Sequence, residues 1–270
     1  MKVERDVSVA TPKVSADETS MLSKLVALAQ WVALLAIPQL FWRPAWASWI
    51  SVIGGERNAN VYGNCALTVA TLLAGNAYFY ALYVLRAPFF ERHKVQADKP
   101  WPWESHVPEK DRGAFSNMVR RGAMLTALNV ALAIPLGAAG YKDVKRLGYS
   151  GAAADFPSAW KMLAQLCAFM VIEDTLFYWG HRLLHGVAYK YIHKVHHTFT
   201  FSVSIAAVAT QCVCAGRPRT PTAPNNAYTP NPRSPVEYIV SNVIPFVAGP
   251  TLLGAHCATI YVWLIFRLSA

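Results

Sequence analysis

Five of the eight histidines fall within seventeen residues, in the stretch IEDTLFYWGHRLLHGVAYKYIHKVHHTF. His181 and His185 stand four apart, so on a helix both imidazoles project from one face, one turn from each other. His193, His196 and His197 are spaced i, i+3 and i+4 and share a face in the same way. Gly186 is available to end the first of these helices, and the seven residues 186–192 let the two histidine faces converge. Imidazole suits zinc, copper, nickel and iron, and five such ligands exceed what one tetrahedral zinc uses, so the set fits two metal ions. A zinc protease is disfavoured, because HRLLH carries Arg182 where HExxH needs its glutamate.

Asp174 lies seven residues before His181, two helical turns upstream on the same face. From there its carboxylate can accept a hydrogen bond from the distal nitrogen of a metal-bound imidazole and fix the tautomer. Glu173, beside it, is the weaker candidate for that role. Both read as the polar end of an apolar helix, where a carboxylate is costly enough to suggest a function. His256 lies in the last apolar region and reads as a buried, hydrogen-bonded histidine, with a metal role as the alternative. His93 and His106 read as solvated or interfacial. Cys212 and Cys214 read as an incidental pair, and Trp101 and Trp103 as headgroup-level anchors.

The elements that must hold these groups are apolar. Only 15% of the 270 residues are charged and 54% are hydrophobic, against about a quarter charged in ordinary soluble chains. That is too little charge to cover a water-exposed globule, and a disordered or fibrous chain is excluded. The formal net charge of +10 sits in short loops between apolar runs, the positive-inside pattern and not a nucleic-acid face. Five scattered cysteines give no disulfide framework.

The fold class expected is all-α, an integral membrane protein of about four crossings plus a C-terminal apolar hairpin, with the histidine helices on the cytosolic side. The expected crossings are Leu25 to about Trp42, kinked at Pro38; about Asn64 to Leu85; about Gly122 to Ala139; and about Ala159 to Trp179. The short stretches at about Ile239–Leu253 and Ala258–Leu268, broken by prolines and glycines, would form the hairpin or two further crossings. The polar loop Arg86–Arg121 is the richest in lysine and arginine and is placed in the cytosol; the loop with Lys142, Lys145 and Arg146 is placed in the lumen. The chain divides into a polar tail (1–20), a membrane region with the two histidine groups (21–200), a proline-rich irregular segment (201–235) and a C-terminal membrane part (236–270). The tail lacks the pattern of a cleavable signal peptide.

The acidic pair Glu173-Asp174, the HxxxH of His181 to His185 and the HxxHH of His193 to His197 together resemble the fatty acid hydroxylase superfamily. Within it, EDTLFYWGHRLLH, KYIHKVHH and the upstream FERHKVQADKPWPWE look most like the sterol C4-methyl oxidases, the methylsterol monooxygenases. The resemblance runs from about Val61 to Thr200 and resumes from Pro235 to Leu268. It implies a membrane-bound di-iron oxygenase of the endoplasmic reticulum, multi-pass, with its histidines facing the cytosol. The iron ligands would be His181, His185, His193, His196 and His197, with Asp174 behind them. Electrons would come from NAD(P)H through cytochrome b5 or a reductase, and the substrate would be a membrane sterol whose C4-methyl group is oxidised. Other sterol-demethylation enzymes would be possible partners, and nucleic acid would not. Alternatives are a fatty acyl or sphingoid-base hydroxylase of the same superfamily, and a noncatalytic truncated membrane protein.

Two departures accompany the resemblance. The family's third box, another HxxHH, follows an arginine-leucine stretch like Arg267-Leu268, and the sequence stops at Ala270 before one could begin. The family's His-Pro stands here as Ser234-Pro235, so Thr200 to Ser234 reads as foreign sequence in place of a family segment, as a retained intron would produce. Incomplete iron binding is the expectation for the chain as written.

Overall fold

The computed structural model describes residues 16–86, 104, 105, 107–186 and 243–269. Among them the architecture is all-α, with no strand and one isolated bridge, Ser150 to His256. Three helical stretches are long and apolar enough to cross a bilayer: Lys24–Val52, Glu56–Leu82 and Ala159–Leu183. The protein is an all-α membrane protein.

Helix α1 (Ala16–Ile37) passes through a π-helical turn (Pro38–Trp42) into α2 (Arg43–Val52). The first crossing therefore runs ten residues past its expected end at Trp42. Proline lacks the N–H that an α-helix needs. Here the wider turn absorbs that loss, because the Arg43 N–H reaches back to the Pro38 carbonyl. Gly54 and Gly55, at φ 82° and 105°, then end the helix in the left-handed region that favours glycine. A short α3 (Glu56–Asn58) and a second π turn (Ala59–Gly63) lead into α4 (Asn64–Leu85), whose bounds coincide with those expected. Arg86, at φ 45°, closes it.

The 38-residue α5 (Glu109–Arg146) corrects one expectation. Residues 109–121 are helix and not loop, because Glu109, Lys110, Arg112, Ala114, Met118, Arg120 and Arg121 are good helix formers whose charge masks the segment from a hydropathy reading. The expected crossing at 122–139 is the middle of that helix. Residues 87–103 and 106, and with them His93, Trp101, Trp103 and His106, lie outside the described residues, as do the tail through residue 15 and the segment 187–242.

Helix α6 (Ala159–Gly186) carries the fourth expected crossing and continues seven residues past Trp179. Helices α7 (Ile244–Leu252) and α8 (Cys257–Ser269) form the hairpin. At about 1.5 Å per residue they are roughly 14 and 20 Å long, short of the hydrocarbon thickness of about 30 Å.

Helix α8 is the centre of the bundle. From Cys257 to Leu264 it is buried but for Ile260, against α4 on one side and α6 and α7 on the other. Lipid tails are as apolar as these side chains, so close packing rather than escape from water holds such helices together. Two glycines make that closeness possible. A Cβ on Gly63 would stand 1.9 Å from the Tyr261 hydroxyl, and one on Gly249 would stand 2.8 Å from the Phe169 ring and 3.0 Å from its Cα. The Trp263 ring packs on Phe169 at 5.6 Å and Phe246 at 6.1 Å, and its indole N–H donates to the Phe246 carbonyl at 3.2 Å.

The bundle is closed at the end where α6 begins. Glu56 accepts from Lys145 at 2.6 Å and from the Gly151 N–H at 3.0 Å, and Trp46 donates to the Gly151 carbonyl at 2.9 Å. The Cys257 N–H donates to the Ser150 carbonyl at 2.8 Å, and the Tyr261 hydroxyl donates to the Ala59 carbonyl at 2.8 Å. Gly254, at φ 50°, lets its chain pass so near Leu147 and Gly148 that a Cβ there would stand 2.8 Å from the Leu147 carbonyl oxygen.

Candidate metal centre

The first two candidate ligands lie near the far end of α6. His181 is 22 residues on from Ala159, about 33 Å along the helix axis. Residues 181–186 remain helical, so His181 and His185 occupy successive turns of one face, as their spacing requires. Helix α6 is described through Gly186, the residue expected to end it. His193, His196 and His197 lie outside the described residues, so the convergence expected of the two faces stays an expectation. Among the described residues no three of His, Cys, Asp and Glu come together in a metal-binding group.

The surroundings of His181 are aromatic. Its half-buried ring stacks on Phe177, one turn earlier, at 5.5 Å and 18° between planes. Arg182 lies 5.5 Å over the Trp179 ring and donates to the Tyr178 hydroxyl at 3.0 Å, pinning its own side chain back along the helix. Phe177 limits the rotation of the His181 imidazole and covers one of its faces. The i, i+4 aromatic-histidine pair was visible in the sequence, although its significance was not drawn from it.

Of the two carboxylates, Asp174 is exposed on α6, two turns before His181. Glu173 is buried, and its Oε2 pairs with Nε of Arg267 in the last turn of α8 at 2.6 Å. Neither ends the helix, which continues thirteen residues past Glu173, to Gly186. The lone charge within the apolar run of α8 was the one sequence signal that a buried counter-charge lay elsewhere.

His256 stands at the opposite end. It is buried between the rings of Trp46 and Phe156, each 5.5 Å away, just ahead of the start of α6. Its Nε2 donates to the Ala152 carbonyl at 3.0 Å and its Nδ1 accepts from the Ala258 N–H at 3.1 Å, which selects the Nε2–H tautomer. Burial lowers its pKa below 6.5, the backbone bond to Ala152 opposing this. With both nitrogens engaged and most of the length of α6 between them, His256 cannot share a metal with His181.

Comparison with known proteins adds what geometry cannot. The chain is similar to a putative methylsterol monooxygenase of Dictyostelium discoideum, 29% identical over 234 residues, covering 84% of this chain and 71% of that protein. It is also similar to methylsterol monooxygenase 2-1 of Arabidopsis thaliana, 27% identical across 69% of this chain and 55% of the relative. The human fatty acid hydroxylase domain-containing protein 2 is 26% identical across 67% of this chain and 44% of its own length. These likenesses support the fatty acid hydroxylase superfamily. Within it, the similarity to sterol C4-methyl oxidases agrees with the wording around the histidines. No protein-family profile matches the chain, and no solved structure does. Apart from the amoebal protein, these relatives are spanned for only about half of their length.

Proposed function

We propose that the protein is a membrane-bound di-iron oxygenase that oxidises the C4-methyl group of a sterol. The observation that carries the reading is the pair His181 and His185 on successive turns at the end of an apolar helix, in a chain similar to methylsterol monooxygenases. The donor set fits iron: five imidazoles, two on α6 and three at HxxHH spacing shortly after it. His181, His185, His193, His196 and His197 would hold the metal, which when bound supplies the oxidation of an unactivated C–H bond with O2.

The residues of the chain contribute position and surroundings. Helix α6 sets His181 and His185 one turn apart, and Phe177 holds the His181 ring against rotation. Asp174, two turns before His181 on α6, would orient an imidazole through its distal N–H. An apolar substrate arrives laterally, since α1, α4 and α6 present exposed leucines, valines and aromatics to the lipid. Electrons would come from NAD(P)H through cytochrome b5 or a reductase, and the enzyme would reside in the endoplasmic reticulum with its histidines toward the cytosol. The segment boundaries near residues 20, 200 and 235 belong to the same reading.

Metal analysis of the chain purified in detergent tests it. Iron is expected, lost on His181→Ala or His185→Ala; zinc alone, or no metal, rejects the reading. A second reading rests on a further relative: the rice very-long-chain aldehyde decarbonylase GL1-10 is 33% identical over 135 residues. With the human fatty acid hydroxylase domain-containing protein, it favours an acyl-chain substrate as the alternative. Growth of cells lacking the sterol C4-methyl oxidase on expression of the protein supports the sterol, and rescue of a sphingolipid or fatty acyl hydroxylase defect instead supports the acyl chain.

A further inference from the structure

The packing seam of α6 follows Met162, Gln165, Leu166, Phe169 and Glu173, the 3–4 spacing of a buried helical stripe. Through Phe169 its members pack against α7, α8 or the residues around them. Among the described residues the stripe of buried positions stops after Glu173: Leu176, Phe177, Tyr178, Trp179 and Leu183 are all exposed. Its last contact between helices is the ion pair of Glu173 with Arg267 of α8, where the histidine-bearing turns begin.

Its location is unusual. Glu173 is fourteen residues on from Ala159, about 21 Å along α6, and lies inside a candidate membrane crossing. A carboxylate there persists only with a partner. Arg267 supplies one through Nε, while its guanidinium remains one-third exposed. An ion pair restrains a helix differently from a methyl contact. Its bond has a direction, and losing either partner strands the other charge in a poorly hydrated site.

We propose that Glu173 and Arg267 form a positioning clamp that sets the rotation of the last three turns of α6, and so of the helix face that bears His181 and His185. In its consequence for the metal this rests on the ligand assignment above. The clamp itself does not. Neither residue touches metal or substrate; both act through the helix. Asp174, one residue on, points away from the seam into an exposed position, and so the adjacent carboxylates divide the tasks of holding the helix and facing its histidine side.

Hydrogen exchange by mass spectrometry on the full chain in lipid nanodiscs tests this, with Glu173→Gln, Arg267→Gln and the double variant. Both single variants are expected to speed exchange of the amides of 176–186 at least tenfold and leave those of 160–170 within twofold. The double variant should loosen 176–186 no more than either single one, because removing both charges strands neither. Unchanged exchange at 176–186, uniform loosening of all of α6, loss of folding in the isosteric Glu173→Gln, or single-variant effects that multiply would each overturn the clamp. Iron content measured on the same samples separates the two readings. Wild-type protein without iron, but with the local exchange pattern, rejects the metal assignment and keeps the clamp. Iron retained at wild-type level despite loosened 176–186 rejects the link from clamp to histidines.

Discussion

His256 and His181 are the same side chain put to opposite uses at opposite ends of α6. Both ring nitrogens of His256 are bonded to backbone groups, the rings of Trp46 and Phe156 close over it, and the chain passes too tightly there for any side chain at Gly254. Among the described residues, the contacts seen around His181 come from its own helix: Phe177 stacks on it and Arg182 folds back on Trp179 and Tyr178. The closed end joins several helices and the loop before α6. The histidine end carries the candidate ligands. Stability and chemistry are thereby separated along one helix, and substitutions at the two ends should move different observables.

The largest effect is expected from Trp46→Ala, which removes a buried indole with three ring neighbours and its bond to Gly151. A loss of about 3–5 kcal/mol, read from the unfolding midpoint in mixed micelles, would confirm that this end carries the fold. A loss under about 1 kcal/mol would break the comparison. Next comes Gly63→Ala, whose new methyl collides with the Tyr261 hydroxyl and displaces it from the Ala59 carbonyl. Overpacking of this kind costs about 1–3 kcal/mol, and Tyr261→Phe in the same background should recover part of it by making room.

The pH profile sharpens the contrast. Burial holds the folded pKa of His256 below its ordinary 6.5, so the stability it confers is whole above that value. As pH falls below 6.5 the unfolded chain takes up the proton first, and stability declines down to the depressed folded value, by at most about 1.4 kcal/mol per pH unit for one proton. Unfolding of wild type and His256→Gln followed from pH 8 to 5 should show that slope only in the wild type. Lys145→Met is expected to be milder. Its ammonium is nearly half exposed, and the bond to Glu56, which raises its pKa, lends stability that fades only as pH rises above 10.5. Screening by water limits the loss to about 1 kcal/mol. Smallest of all should be His181→Ala, within about 0.5 kcal/mol of wild type while abolishing iron binding. A large loss of stability there would mean that the histidine end also holds the fold together.

What could be read in the sequence follows from how local its cause is. Helix α4 was legible to the residue, because Asn64–Leu85 is uniformly apolar and stops at a charged residue. The turn-by-turn placement of His181 and His185 was equally local. Pro38 misled, since a single residue type cannot announce that the next turn will widen to accommodate it. The start of α5 at Glu109 was missed because charge was taken to mean loop, although charged residues are good helix formers on a solvated face. The role of Glu173 was hidden for a different reason: its partner lies 94 positions later, on a helix whose neighbours only the fold defines. His256 was read as buried from the apolar run around it, yet the carbonyl that fixes its tautomer comes from Ala152, in a loop with no sequence mark.

The separation of Glu173 from Arg267 along the chain also bears on biosynthesis. A ribosome adding about 5–20 residues per second makes Arg267 roughly 5–20 s after Glu173. During that interval the carboxyl group of α6 has no counter-ion, and α6 pays for full insertion until the hairpin arrives. Its final depth in the bilayer is therefore reached after α8 emerges, by which time the turns bearing His181 and His185 have already left the ribosome. In a nascent chain stalled before residue 267, the His181 end should sit nearer the water than it does in the finished protein.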